Sequence, residues 1–272
     1  MLSHSSEVDL ISQFKGFLET PDIRKKYRSE IPVFEFPEVD ITEELIAELK
    51  KIDHPRNSVL GKRMESFFEI AIKFSKRYKL IASNIQVNQQ KITLGELDFL
   101  LYDFQNNRPL HVELVYKIYI LDPEVGQDEK MFIGPNRKDS FLEKMEKITT
   151  KQLPLLKHPE TQGYLKKYDL DLEEMEQQIC FKAQLYSNDP DTTLQIGKYL
   201  SLQEFQKLNK NGAEFYAPKK NLWSSKPESC KYWHSYAEIM EEIAKLFQKK
   251  KSPLIWMKHK HSFSRFFVVW WK

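Results

Sequence analysis

Glycine is scarce, at 8 of 272 residues, and no cluster of it forms a G-x-x-x-x-G-K-[ST] phosphate loop, a G-x-G-x-x-G dinucleotide turn or a G-x-S-x-G elbow. The nucleotide-cradling loops and the nucleophile elbow those motifs build are therefore excluded. The two cysteines, Cys180 and Cys230, are too few for a disulfide framework and lack a C-x-x-C spacing for zinc, so both are expected as reduced, structural thiols. An H-E-x-x-H helix is also absent. The longest late apolar run, 266–271, is too short to cross a bilayer. The opening M-L-S-H-S-S-E-V-D-L has neither a basic nor an apolar leader region, so a soluble cytoplasmic protein without a membrane partner is expected. Lys plus Arg number 42 against 39 Asp plus Glu, a formal net charge of +3. Any nucleic-acid binding must then come from a local patch rather than the overall balance.

What the chain does hold is 41% hydrophobic and 13% aromatic residues, ample for a core. Helical spacing recurs over 8–17 and 41–52, joined by the proline-bearing P-V-F-E-F-P-E-V-D, and a long amphipathic helix is predicted over 59–78 after the turn-like D-H-P-R-N. Three strands follow at 80–87, 93–102 and 110–121, with N-N-R-P as the turn between the last two. G-P-N-R-K-D offers Asn136 as the cap of a second helix ending near Leu153, before Pro154. The pattern then predicts helical tendency over 160–178, strands at 179–186 and 221–224, helices at 202–208 and 236–249, and strands after Pro253. K-K-K at 249–251 reads as the cationic close of the 236–249 helix. The expected organisation is a helical lead-in at 1–58, an α/β core at 59–186, and 187–272 as an elaboration of the same domain.

The chemistry sits in T-L-G-E-L-D-F-L at 93–100 and H-V-E-L-V-Y-K at 111–117. A carboxylate among strand Leu, Phe and Val is costly to desolvate unless paired, hydrogen-bonded or bound to a cation. Strand alternation puts Glu96 and Asp98 on one face, and His111, Glu113, Val115 and Lys117 on one face of the neighbour. If the faces coincide, Asp98 and Glu113 make an oxygen-donor pair suited to Mg²⁺ or Mn²⁺. Glu65 would add an acid from the preceding helix, and Lys117 would orient a nucleophile or steady phosphate charge. The bland alternatives are a Glu113–Lys117 ion pair on a half-exposed sheet, and a solvated helix face for Glu65. Glu96 and His111 read as outer or structural polar residues. Arg137, Lys138 and Lys144, with Gln152, mark the post-sheet helix as a possible phosphate-binding side.

G-K-R-M-E at 61–65, the 93–100 and 111–120 segments, and G-P-N-R-K-D at 134–139 resemble the bacterial domain of unknown function 1853, over about a third of the chain. That family in turn resembles the restriction-endonuclease-like, PD-(D/E)XK, superfamily. The resemblance implies a mixed sheet flanked by helices, with a helix–strand–strand–strand–helix core carrying Glu65, Asp98 and Glu113 as its acids. It also implies metal-dependent hydrolysis of phosphodiester bonds in DNA or RNA. The Glu-x-Lys pattern departs here: Val115 follows Glu113 by two, and Lys117, the nearest lysine in register, begins roughly 7 Å further along the strand. Lys144 is then a second contender for the lysine role. The alternative function is a nuclease-fold module that binds nucleic acid or protein without catalysis. The terminal W-M-K-H-K-H-S-F-S-R-F-F reads first as an amphipathic strand, and His259 with His261 lack a nearby acidic or cysteine partner.

Overall fold

A computed structural model describes residues 4–25, 30–52, 60–190, 192, 194–208 and 210–272; the turn expected at 53–57 and Val59 lie outside the described residues. Strands β1 (Tyr78–Gln89), β2 (Ile92–Asp103) and β3 (Arg108–Leu121) form an antiparallel meander. The turn after β2 is pinned by Asp103, whose carboxylate accepts from the backbone of Gln105 at 2.9 Å and from Arg77 Nη2 at 2.9 Å. Burial alone would raise the pKa of Asp103, but the guanidinium, side-chain amide and backbone donors more than offset it and hold the group below its usual value.

Helices α1 (His4–Glu19), α2 (Glu43–Lys50) and α3 (Leu60–Lys73) cover one face of the meander. Thr42 caps α2 through the backbone N–H of Leu45 at 3.3 Å. The apolar face of α3 buries Met64, Phe67, Phe68, Ala71 and Ile72. Phe68 packs on Phe99 of β2 with ring centroids 4.4 Å apart, and Phe67 meets Phe14 of α1 edge-on at 5.4 Å. Each such ring contributes roughly 1.5–3 kcal/mol through burial, which fixes where α3 lies on the sheet.

β5 (Glu176–Tyr186) runs parallel to β3, with Leu110 beside Glu176 and Ile120 beside Tyr186. A parallel neighbour needs a crossover. It begins at the short β4 (Phe132–Ile133), which pairs with the end of β3, and continues as α4 (Phe141–Lys147), a π-helical turn Ile148–Gln152, a 3₁₀ turn Leu153–Lys157 and α5 (Gln162–Lys167). Tyr119, Phe132, Phe141, Ile148 and Phe181 form the core on this second face. The expected single helix to Leu153 is thus broken in three, and its cap is Ser140, which accepts from Glu143 N at 3.2 Å. Asn136 instead accepts from the backbone of Ser252 at 2.8 Å, outside any helix start.

Strands β6 (Gln195–Ser201), β7 (Ala213–Tyr216), β8 (Leu254–His259) and β9 (Ser262–Val269) extend the sheet, with α6 (Leu202–Lys207) and α7 (Tyr236–Gln248) between them. The order is β1-β2-β3-β5-β6-β9-β8-β7, a large mixed sheet flanked by helices. The strand expected at 221–224 is a 3₁₀ turn, Lys220–Leu222, closed by Trp223 Nε1 donating to Pro218 O at 2.9 Å. The helical tendency expected over 160–178 survives as a 3₁₀ turn Pro159–Thr161 leading into α5 and a second 3₁₀ turn, Leu172–Glu174, before β5 begins.

Candidate active site

The β2–β3 ladder runs from Asp103 beside Arg108 to Phe99 beside Val112 and stops there. Asp98 is the next residue on β2 and Glu113 the next on β3. Where the following backbone bond would form, Asp98 Oδ2 takes the N–H of Leu114 at 2.9 Å. The strands part, and a carboxylate fills the gap that the ladder leaves.

Glu113 is fully buried. Its Oε1 lies 3.0 Å from His111 Nε2, and its Oε2 accepts from Gln152 Nε2. Gln152 Oε1 in turn accepts from Lys144 Nζ at 2.9 Å. Lys144 belongs to α4 and Gln152 ends the π turn, so the extra residue of that turn aims both side chains back at β3. On the other flank, Glu65 of α3 pairs with Lys62 at 3.2 Å. Asn84 of β1, with its amide nitrogen turned toward the two acids, donates to Glu96 Oε1 and Glu65 Oε2 at 3.1 Å each. Its φ of 53° is in the left-handed region, a conformation asparagine tolerates better than most residues.

Burial, then the neighbouring charge of Glu113, pushes the Asp98 carboxyl up to about 8; Glu65 adds to this, while the Leu114 N–H and Lys144 oppose it. Burial lowers the Lys144 ammonium from its usual value, with Asp98 and Glu113 holding against it. Burial also pulls at Lys62, but its hydrogen bond to Glu65 and the charges of Glu65, Glu96 and Asp98 outweigh that and raise it. Two lysines thus bracket a cluster of carboxylates in which like charges crowd, an arrangement that a divalent cation would relieve.

The donor set fits a hard cation. A carboxylate offers about four lone-pair sites, and Glu113 and Asp98 each keep some free after the bonds above. Mg²⁺ commonly binds through one or two carboxylates with water and substrate phosphate completing the shell. The acids come together as a pair with outlying members: no group of three or more His, Cys, Asp or Glu side chains among the described residues is closed enough to form a ready metal cage.

Of the residues singled out in the sequence, Asp98, Glu113, Glu65 and Lys144 share this electrostatic environment. Lys117 lies on β3 but its ammonium is bound to Asp139. Arg137 binds Asp122 and lies over the Trp271 ring, 4.0 Å from its centroid; Lys138 is exposed ahead of the seven-residue α4. Asn84 and Gln177, whose Nε2 lies 3.0 Å from His111 Nδ1 behind Glu113, were not legible as site residues. An asparagine inside a strand-like run was the available signal for Asn84, since asparagine is depleted in strands. His259 Nε2 is bonded to Asn211 O at 3.0 Å and makes no pair with His261.

The fold and site define a mixed α/β protein with a buried carboxylate pair where two central strands part. The chain belongs to the family described as Domain of unknown function (DUF1853), whose model matches residues 37–269. A search of curated proteins found no match, and a search of solved structures found none. No described helix is long and apolar enough to cross a membrane.

Proposed function

We propose that this protein is a metal-dependent nuclease that hydrolyses phosphodiester bonds of DNA or RNA. The observation that carries the reading is the Asp98–Glu113 carboxylate pair, set where the β2–β3 ladder ends and faced by the Lys144 ammonium. The element order supports it: α3, the β1–β2–β3 meander and then α4 is the helix–strand–strand–strand–helix order that the likeness to restriction-endonuclease-like proteins implies.

Asp98 and Glu113 would hold Mg²⁺ or Mn²⁺. A bound ion of this kind supplies Lewis-acid polarisation of phosphate and acidifies water. The Glu113 carboxylate is held between His111 and Gln152, and Asp98 gives up the proton that crowding favours on it. Lys144, oriented by Gln152, neutralises charge that builds on the phosphate oxygens. Glu65, bridged by Asn84, takes the outer position on the α3 side. Lys144 serves where the pattern of the superfamily has a strand lysine and this chain has the buried Val115.

The test is cleavage of labelled single- and double-stranded DNA and RNA with Mg²⁺ or Mn²⁺, comparing the parent with Glu113→Gln. Metal-dependent cleavage lost in the variant is expected. A folded parent that binds nucleic acid without cutting it would replace this reading with the binding-module one, for which Val115 speaks.

A further inference from the structure

The buried side of Glu113 ends in a chain of hydrogen bonds whose direction can be read atom by atom. The Leu153 carbonyl can only accept, and Gln177 Nε2 lies 2.7 Å from it, so that end of the amide is the nitrogen. The same nitrogen is 3.0 Å from His111 Nδ1. A donor facing Nδ1 requires Nδ1 to carry no proton. The ring proton is then on Nε2, 3.0 Å from Glu113 Oε1. His111 and Gln177 are neighbours in the β3–β5 register, so the parallel sheet itself sets their contact.

The chain also closes on itself. Gln152 and Leu153 are consecutive, at the junction of the π turn and the 3₁₀ turn. One serves Glu113 Oε2 through its side chain and the other anchors Gln177 through its carbonyl. Both His111 and Glu113 are fully buried, so water does not compete for these bonds.

We propose that Gln177 and His111 are positioning residues that lock the imidazole as its Nε2–H tautomer and thereby hold the Glu113 carboxylate in place for a divalent cation. The cation-holding consequence rests on the nuclease reading; the tautomer does not. A histidine that merely fills the core would leave metal affinity unchanged when replaced by an apolar residue of similar size.

The experiment has two arms. In the first, the ring nitrogens of His111 are observed by NMR in ¹⁵N-labelled parent, assigned by their loss in His111→Gln. An unprotonated Nδ1 with a protonated Nε2 is expected, and Gln177→Leu mixes the two tautomers; a proton on Nδ1 in the parent overturns the proposal. In the second, Mn²⁺ binding is measured by calorimetry. His111→Leu weakens it about 10–100-fold, the usual cost of losing a hydrogen-bond partner behind a metal ligand, while His111→Gln, which keeps an N–H donor, recovers most of the affinity. Parent-like affinity in a folded His111→Leu protein overturns the positioning role. If the parent binds no Mn²⁺, the nuclease reading fails, and the ring-nitrogen signature alone decides whether the lock exists.

Discussion

The ammonium of Lys117 is paired with the carboxylate of Asp139, just ahead of α4. Its charge is spent in holding the crossover to β3. Lys144 instead donates to the neutral Gln152 amide, a bond that leaves its ammonium facing the carboxylate pair rather than matched to an acid of its own. Lys144→Ala is expected to lower metal-dependent cleavage about 10²–10³-fold, the range for losing one preorganised donor at developing charge. Lys117→Ala should stay within a few-fold of the parent. Steady-state cleavage rates on folded variants decide it, and the reverse ranking returns the role to Lys117.

Asn84 combines an unusual backbone with a bridge between Glu65 and Glu96, and two substitutions separate these. Asn84→Ala keeps the left-handed backbone under strain and should destabilise by about 1–2 kcal/mol. Asn84→Gly removes the strain and should melt close to the parent. Both lose the bridge, so both should cut about tenfold more slowly. Parent-like cleavage by Asn84→Gly would make the residue a backbone device only.

The meander and its acids were legible because strand periodicity and buried charge conflict at Asp98 and Glu113, and only a site or a pairing resolves such a conflict. α3 was legible because Met64, Phe67, Phe68, Ala71 and Ile72 recur at helical spacing. Three things were not. The break after α4 depends on a π turn, which has no local sequence signal of its own. β6 and β7 draw their order from pairing with β9 and β8, not from alternation. The surroundings of Lys117 and Lys144 were set by packing rather than by local pattern: Asp139 holds one and Gln152 the other.

Stability should depend on pH through Asp98. Its carboxyl titrates near 3.8 when free and is pushed up to about 8 in the fold, chiefly by burial and then by Glu113. Between those values the folded protein binds the extra proton, so folding stability falls as pH rises through that window. The slope contributed by this group approaches about 1.4 kcal/mol per pH unit at most. Asp98→Asn should therefore melt higher than the parent at pH 8, with the gap closing toward pH 4. Thermal melts across this range check the sign, and an Asp98→Asn protein less stable at pH 8 would show that the carboxylate is already compensated.

Gly16 tests how firmly the N-terminal helix is fixed to the sheet. A Cβ there would lie 1.6 Å from the backbone oxygen of Ser224 and 2.7 Å from its carbonyl carbon, and backbone cannot swing aside as a side chain can. The neighbourhood is already knotted together: Thr20 Oγ1 donates to Gly16 O at 2.6 Å and meets Tyr116 Oη at 3.1 Å, while Gln184 donates to Tyr116 Oη at 2.8 Å and to Trp223 O at 3.0 Å. Helix propensity alone favours Gly16→Ala by about 1 kcal/mol. The clash opposes it with about 3 kcal/mol or more, because α1 must lift off the 223–225 segment and loosen Phe14 and Phe17 from Phe67. The net expectation is a fall in Tm of several degrees, at roughly 2–4 °C per kcal/mol for a chain of this size. A Tm at or above the parent value would mean that α1 docks less closely than its contacts indicate, and that the support behind α3 and Glu65 comes from the sheet alone.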